Sequence, residues 1–306
     1  MNELIKKLSD YIGRAIKGKE EAIKYAVVTL LSRGHLLIED VPGVGKTTLA
    51  FALAKAIDCD FQRIQSTSDL LPSDMIGVNI YNPETREFQF RKGPLFANIV
   101  LVDEINRTSP KTQSALLEAM NERRISVDRK TYILLEPFMV IATQNPAEYH
   151  GTFPLPESQL DRFMMHIRIG YPSYDFEKLA LSEMMDFDDI DRFGYVLKKT
   201  DILNMQDEVR KVKTDGDIMD YILNIVNRTR NHDNIRLGVS TRGAQFLLRA
   251  AQSLAYVNGR DYVLPDDVKE LSPMVLGHRI VLKSKTYISD ADKLIRDMVD
   301  EISIPL

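Results

Sequence analysis

Three apolar runs in this chain end in side chains suited to phosphate chemistry. In "VPGVGKTT" the residues Pro42, Gly43, Val44, Gly45, Lys46, Thr47 and Thr48 form most of a G-x-x-x-x-G-K-[ST] loop. In such a loop the glycines let the backbone approach an anion, the lysine reaches the β and γ phosphates, and the hydroxyl ligates Mg²⁺. In "NIVLVDEINR" an apolar strand ends in Asp103 and Glu104. An aspartate at the carboxyl end of a strand beside a phosphate loop is placed to hold the metal ion, and the next carboxylate to polarise an attacking water as general base. In "FMVIATQNP" the run ends in Gln144 and Asn145, uncharged amides that can hold both water and a γ-phosphate.

Two arginines extend the set. Arg162 in "LPESQLDRF" sits between a short helix and a strand, and Arg242 in "GVSTRGAQF" falls in the first turn of a helix. A cation there opposes the helix dipole, so it implies a partner anion. An arginine delivered from a neighbouring subunit would stabilise charge on the transferring phosphoryl group and couple hydrolysis to assembly.

One position departs from the loop pattern, since Asp40 stands where the first glycine belongs. Aspartate tolerates left-handed backbone, so the turn can survive. Its carboxylate must point away from a triphosphate, and the usual bond to the amide two residues on is blocked because that residue is Pro42. An amide further along the loop, or water, is the expected partner.

The elements that must position these groups alternate as in a parallel sheet covered by helices. Strands are predicted at 35–39, 61–65, 98–103, 138–143 and 164–169, with helices near 19–32, 46–57 and 110–122. Two β-hairpins, 78–90 turning at Asn82-Pro83-Glu84 and 124–135 turning near Asp128, should each project from the sheet edge. Beyond a boundary near 172 the pattern is helical, with helices at 216–230, 240–259 and 264–280. Ser240 or Thr241 would cap the second of these, and Pro265 with Asp266 would open the third.

Composition narrows the function. Forty basic and forty-four acidic side chains leave a formal charge of -4, which gives no bulk attraction to nucleic acid or an anionic membrane. The single cysteine, Cys59, makes no internal disulfide and reads as a packing residue. No run approaches the roughly 20 apolar residues that span a bilayer, and the N-terminus lacks a signal peptide's continuous apolar stretch. A soluble, cytoplasmic protein is expected.

Taken together, these residues resemble the MoxR-type ATPases of the AAA+ class over nearly the whole chain. "VPGVGKTT" matches the Walker A loop, "LVDEINR" the Walker B strand with Asp103 and Glu104, and Asn145 in "IATQNP" sensor 1. Arg162 in "LDRF" matches the arginine finger and Arg242 in "GVSTRG" sensor 2. The resemblance implies a five-stranded αβα P-loop NTPase core over residues 1–172, carrying a helix-2 insert and a pre-sensor-1 hairpin, followed by an all-α lid over 173–306. It implies ATP and Mg²⁺ as cofactors, with Thr47 and Asp103 at the metal. It also implies a hexameric ring that remodels or matures client proteins, among them von Willebrand factor A domain proteins. Ile16, Lys17 and Gly18 resemble the family's adenine-contacting stretch, with Lys19 where the family often has Gln. On this reading ATP lies between core and lid, Glu104 activates water, Asn145 positions it, Arg162 comes from the next subunit and Arg242 from the lid.

Two other readings remain open at this point. Arg123, Arg124, Arg129 and Lys130 around the second hairpin would suit a nucleic-acid motor or loader, although the acidic chain argues against a large phosphate footprint. A low-turnover switch would bind ATP without needing Glu104, Asn145 and Arg162 together.

Overall fold

Strands buried on both faces read as continuous apolar runs, and two such runs form the centre of the protein's sheet. The computed structural model describes residues 3–128, 130–145, 152–182, 187–283 and 288–304. Helices α1 (Glu3–Ala15) and α2 (Glu20–Leu31) precede β1 (Leu36–Glu39) and α3 (Lys46–Ala56). Next come β2 (Phe61–Gln65), a short α4 (Pro72–Ile76) and the hairpin of β3 (Gly77–Asn82) and β4 (Glu87–Lys92). Then follow β5 (Ile99–Asp103), α5 (Pro110–Glu122) and the hairpin of β6 (Arg124–Val127) and β7 (Lys130–Ile133). The core closes with β8 (Met139–Gln144), α6 (Glu157–Leu160) and β9 (Met165–Ile167).

The sheet order is β2-β5-β8-β1-β9, and every neighbouring pair is parallel. Side chains alternate between its two faces. Leu36, Ile38, Leu101 and Ile141 join one apolar cluster with α1, α2 and α3, whereas Leu37, Val100, Val102 and Val140 join another with α5. Both faces are therefore covered, and the chemistry is confined to the strand ends.

The remaining helices are α7 (Tyr174–Ser182), α8 (Phe187–Asp191), α9 (Lys199–Val209) and α10 (Gly216–Arg230). They are followed by β10 (Ile235–Leu237), α11 (Thr241–Val257), α12 (Pro265–Leu276), β11 (Val281–Leu282) and α13 (Ile288–Glu301). Their apolar faces, including Ile222, Leu247, Leu271 and Ile295, extend the same cluster that holds Leu49 of α3. The expected helix over 264–280 ends at Leu276 and tightens into a 3₁₀ turn, Gly277–Arg279. An antiparallel pairing of β10 with β11 adds strand to a region that reads as purely helical. Ser240 caps α11 by accepting from the Gly243 amide at 3.1 Å. At α12 the capping carboxylate is Asp267, not Asp266, and it accepts from the Leu264 amide at 2.8 Å.

The hairpins do not project separately. Phe90 of β4 and Tyr132 of β7 stack with ring centroids 4.4 Å apart, so the two form one unit. The first turns as expected, with Asn82 Oδ1 accepting from the Glu84 amide at 2.9 Å. In the second, Asp128 takes left-handed backbone at φ 48°, and Arg129 lies outside the described residues. Cys59 is buried, and that burial pushes its thiol up to about 12.

His35 fixes the start of β1. Its Nδ1 accepts from the Val140 amide at 2.9 Å and its Nε2 donates to the Met120 carbonyl at 3.1 Å, which defines a neutral ring. Burial lowers its pKa from 6.5 to about 4, with the Arg123 charge acting the same way and the Met120 carbonyl opposing. The unfolded chain thus binds a proton that the folded chain refuses, and stability falls as pH drops from 6.5 towards 4. Urea unfolding of wild type and His35→Leu at several pH values from roughly 6 to 4.5 reads this directly. The variant should be less stable throughout, with a pH dependence shallower by nearly one proton, about 1 kcal/mol per pH unit. Parallel profiles would remove His35 as the titrating group.

Candidate active site

The C-terminal ends of β1, β8 and β5 lie side by side, where ligands bind in open parallel sheets. The phosphate loop leaves β1 there, Asp103 and Glu104 end β5, and Asn145 follows β8. Gly43 and Gly45 adopt φ of 85° and 93°, the left-handed region that disfavours side chains. A Cβ on Gly45 would also meet Ile16 Cδ1 at 2.9 Å. Helix α3 starts at Lys46 without a side-chain cap, so its first amides remain available to an anion. Burial draws the Lys46 ammonium below the ordinary lysine range, and Asp40, Asp103 and Glu104 pull it back up.

Two residues absent from the sequence reading organise the carboxylates. The buried Thr143 hydroxyl donates to Asp103 Oδ1 at 3.1 Å and accepts from the Glu104 amide at 2.8 Å. Arg63 of β2 donates through Nε to Asp103 Oδ2 at 2.7 Å and balances its charge. Glu104 itself is left-handed, at φ 56° and ψ 51°, and its carboxylate pairs with Arg107 at 3.0 Å. The signal for Thr143 was its place two residues before Asn145 on a strand beside Walker B. The signal for Arg63 was a cation on the edge strand that pairs with the Walker B strand. Together with the loop these groups line a cleft of about 330 Å³.

Ile16 packs on the loop at Gly45, and Gly18, at φ 71°, lies under the Phe176 ring. Lys19 points elsewhere, to main-chain carbonyls after β9. Asp40 does not need left-handed backbone, because residues of positive φ among those described do not include it. Nor does it bond to a loop amide beyond Pro42. Its Oδ1 accepts from the next amide, Val41, at 2.8 Å, and its Oδ2 accepts from Ile169 and Gly170 at 2.7 and 2.6 Å.

The arginines gather at the other end of the sheet. Because Leu36 pairs with Met165 in parallel register, Arg162 lies beside the start of β1 while the phosphate loop lies at its end. Arg162 donates to the Leu117 carbonyl at 2.8 Å. Arg242 approaches Asp161 at 3.6 Å, and Asp161 also accepts from Arg279 Nε at 3.0 Å and Ser240 Oγ at 3.1 Å. The partner anion of Arg242 is therefore Asp161. The helix that carries Arg242 is thereby tied to the turn that carries Arg162.

Comparison with known proteins places the family and the fold. A profile of the ATPase family associated with various cellular activities (AAA) matches residues 35–165, and an AAA lid domain profile matches 227–302. The uncharacterized Bacillus subtilis protein YeaC is 48% identical over 100% of this chain and 96% of its own length. Chaperone MoxR1 of Mycobacterium tuberculosis is 40% identical over 94% of this chain and 78% of its own. The chain belongs to the MoxR family of AAA+ ATPases. The crystal structure of an inferred ATPase from Cytophaga hutchinsonii superposes with a TM-score of 0.88 at 39% identity, covering 99% of this chain and 95% of that one. Among the described residues of this MoxR-type ATPase, no helix is long and apolar enough to cross a membrane.

Thr143 gives the site a discriminating test. Thr143→Val keeps the shape and removes the hydroxyl that aligns Asp103 with Glu104. Phosphate release should slow by about tenfold or more while ATP affinity moves less than about threefold. The opposite split, weakened binding with kcat intact, would make Thr143 a ground-state contact.

Proposed function

We propose that this MoxR-type ATPase hydrolyses ATP with Mg²⁺ and uses the cycle to remodel partner proteins as one protomer of a ring. The observation that carries this reading is the division of the site between opposite ends of one sheet. Lys46, Thr47, Asp103, Glu104 and Asn145 cluster where the strands end, while Arg162 and Arg242 stand together where β1 begins. One protomer's arginines would complete its neighbour's cleft, as head-to-tail packing in a closed ring requires. Bound there, Mg²⁺ would supply positive charge to offset the negative charge developing on the phosphates. The Thr47 hydroxyl and Asp103 would hold it, few protein ligands being usual for this ion when phosphates supply the rest. Gly43, Gly45 and the α3 amides would cradle the phosphates, with Pro42, Val44 and Thr48 shaping the loop and Lys46 on the β and γ oxygens. Glu104 would take a proton from the attacking water and Asn145 would orient it. Ile16, Lys17 and Gly18 would border the base.

The remodelling role rests on the relative named as a chaperone; a hexamer and a von Willebrand factor A domain client are the forms we favour. A nucleic-acid motor has less support. Arg123 donates to the Arg33 carbonyl at 2.9 Å and Arg124 pairs with Glu122 at 2.8 Å, which ties both cations to this chain.

Glu104→Gln should retain ATP and lose at least about a hundredfold in kcat, the scale of general-base catalysis. Near-normal turnover would remove Glu104 from the mechanism. Lys46→Ala and Arg162→Ala should each be inactive alone, yet mixing them should restore measurable phosphate release, since mixed interfaces pair an intact loop with an intact arginine. No recovery on mixing, with assembly of the mixture verified, would place Arg162 in its own chain's cycle.

A further inference from the structure

Residues 168–171 leave the edge of the sheet and lead into α7, so their backbone groups need partners the strand ladder no longer supplies. Two side chains provide them. Asp40 Oδ2 accepts from the Ile169 and Gly170 amides at 2.7 and 2.6 Å. Lys19 Nζ donates to the carbonyls of Ile169, Gly170 and Tyr171 at 3.0, 2.9 and 2.7 Å. The peptide groups of the junction are thus gripped from both sides by one carboxylate and one ammonium. Asp40 is 8% exposed and Lys19 9%, and charges so buried persist only where every hydrogen-bonding site is used. All three donors of the ammonium are used here.

Asp40 also touches the phosphate loop through its main chain, since its carbonyl accepts from Lys46 Nζ at 2.7 Å. A single residue therefore links the lysine that meets phosphate to the segment that carries the C-terminal helices. We propose that Asp40 and Lys19 are positioning residues that couple occupancy of the phosphate loop to the core–lid junction at residues 169–171. The proposal rests on the ATPase reading above for the ligand that occupies the loop. A phosphate competes with the Asp40 carbonyl for Lys46, and the change at that peptide passes through the Asp40 carboxylate to Ile169 and Gly170. Gly170 suits a movable joint, with φ 68° and open space where a side chain would stand. Beyond it, Phe176 of α7 packs on Gly18 beside the loop, which brings the signal back to the nucleotide cleft.

The test combines hydrogen exchange with kinetics on the full chain. Asp40→Gly restores the motif's missing glycine, and Lys19→Met keeps length without donors. In the nucleotide-free protein Asp40→Gly should speed exchange of the Ile169 and Gly170 amides by about tenfold or more as they lose their acceptor, and Lys19→Met should speed it too by releasing the carbonyls of the same junction. Titration calorimetry with ATP should show Asp40→Gly within about tenfold of wild type, against loss of productive binding in Lys46→Ala, while kcat of Asp40→Gly falls by about tenfold or more. Adding a non-hydrolysable ATP analogue with Mg²⁺ should change protection of these two amides in wild type and leave them unchanged in Asp40→Gly. Asp40→Asn, which keeps the shape and one acceptor oxygen, should fall between the two. Wild-type exchange in both variants, or a loss of ATP affinity in Asp40→Gly equal to that of Lys46→Ala, would overturn the proposal. If wild type binds no ATP, the ATPase reading fails and the coupling with it, whereas the nucleotide-free exchange still decides whether the clamp exists.

Discussion

Backbone amides can hold a triphosphate only while they have no other partner, and much of this molecule follows from keeping a few of them free. The loop after β1 does so with left-handed backbone at Gly43 and Gly45 and an α3 that begins with no side-chain cap. Free amides are unstable where the chain can relax around them, so the surroundings must be stiff. Stiffness comes from β1, flanked by β8 and β9, and from apolar clusters on both faces of the sheet. His35 fixes the start of that strand and Asp40 its end.

A related rule governs three carboxylates at turns, which are held by donors from distant elements. Asp103 has Thr143 and Arg63, Asp161 has Arg279, Ser240 and Arg242, and Asp40 has two amides from beyond β9. Charge-assisted bonds of this kind fix direction as well as position. Asp161 ties the turn that carries Arg162 to the helix that carries Arg242, so the two arginines stand together.

Local pattern carried much of this into the sequence. Five strands, two hairpins and the loop were legible because each is written in a short run of residues with its own period or turn chemistry. The strand at 61–65 appears with the bounds its residues predict. Contacts across the fold were not legible. Asp40 lies 129 residues from Ile169, and no spacing near residue 40 announces a carboxylate acceptor for that amide. Long separations likewise hid Thr143 from Glu104, Lys19 from the junction, and Phe90 from Tyr132. The Asp161 contact of Arg242 was not legible either, because the helix dipole demands an anion without specifying which. The β10–β11 ladder escaped because a three-residue strand pairing with a two-residue one leaves no periodic trace.

Chain order gives the sheet one more property. β1 is made early, yet its only partners in the sheet are β8 and β9, so Leu36 waits for Ile141 and Met165. A growing chain that stops before residue 139 has the whole phosphate loop and no strand beside it. Such distant parallel pairing is slow to form and leaves apolar edges bare meanwhile. The phosphate loop is therefore held on both sides only once the chain has passed β9.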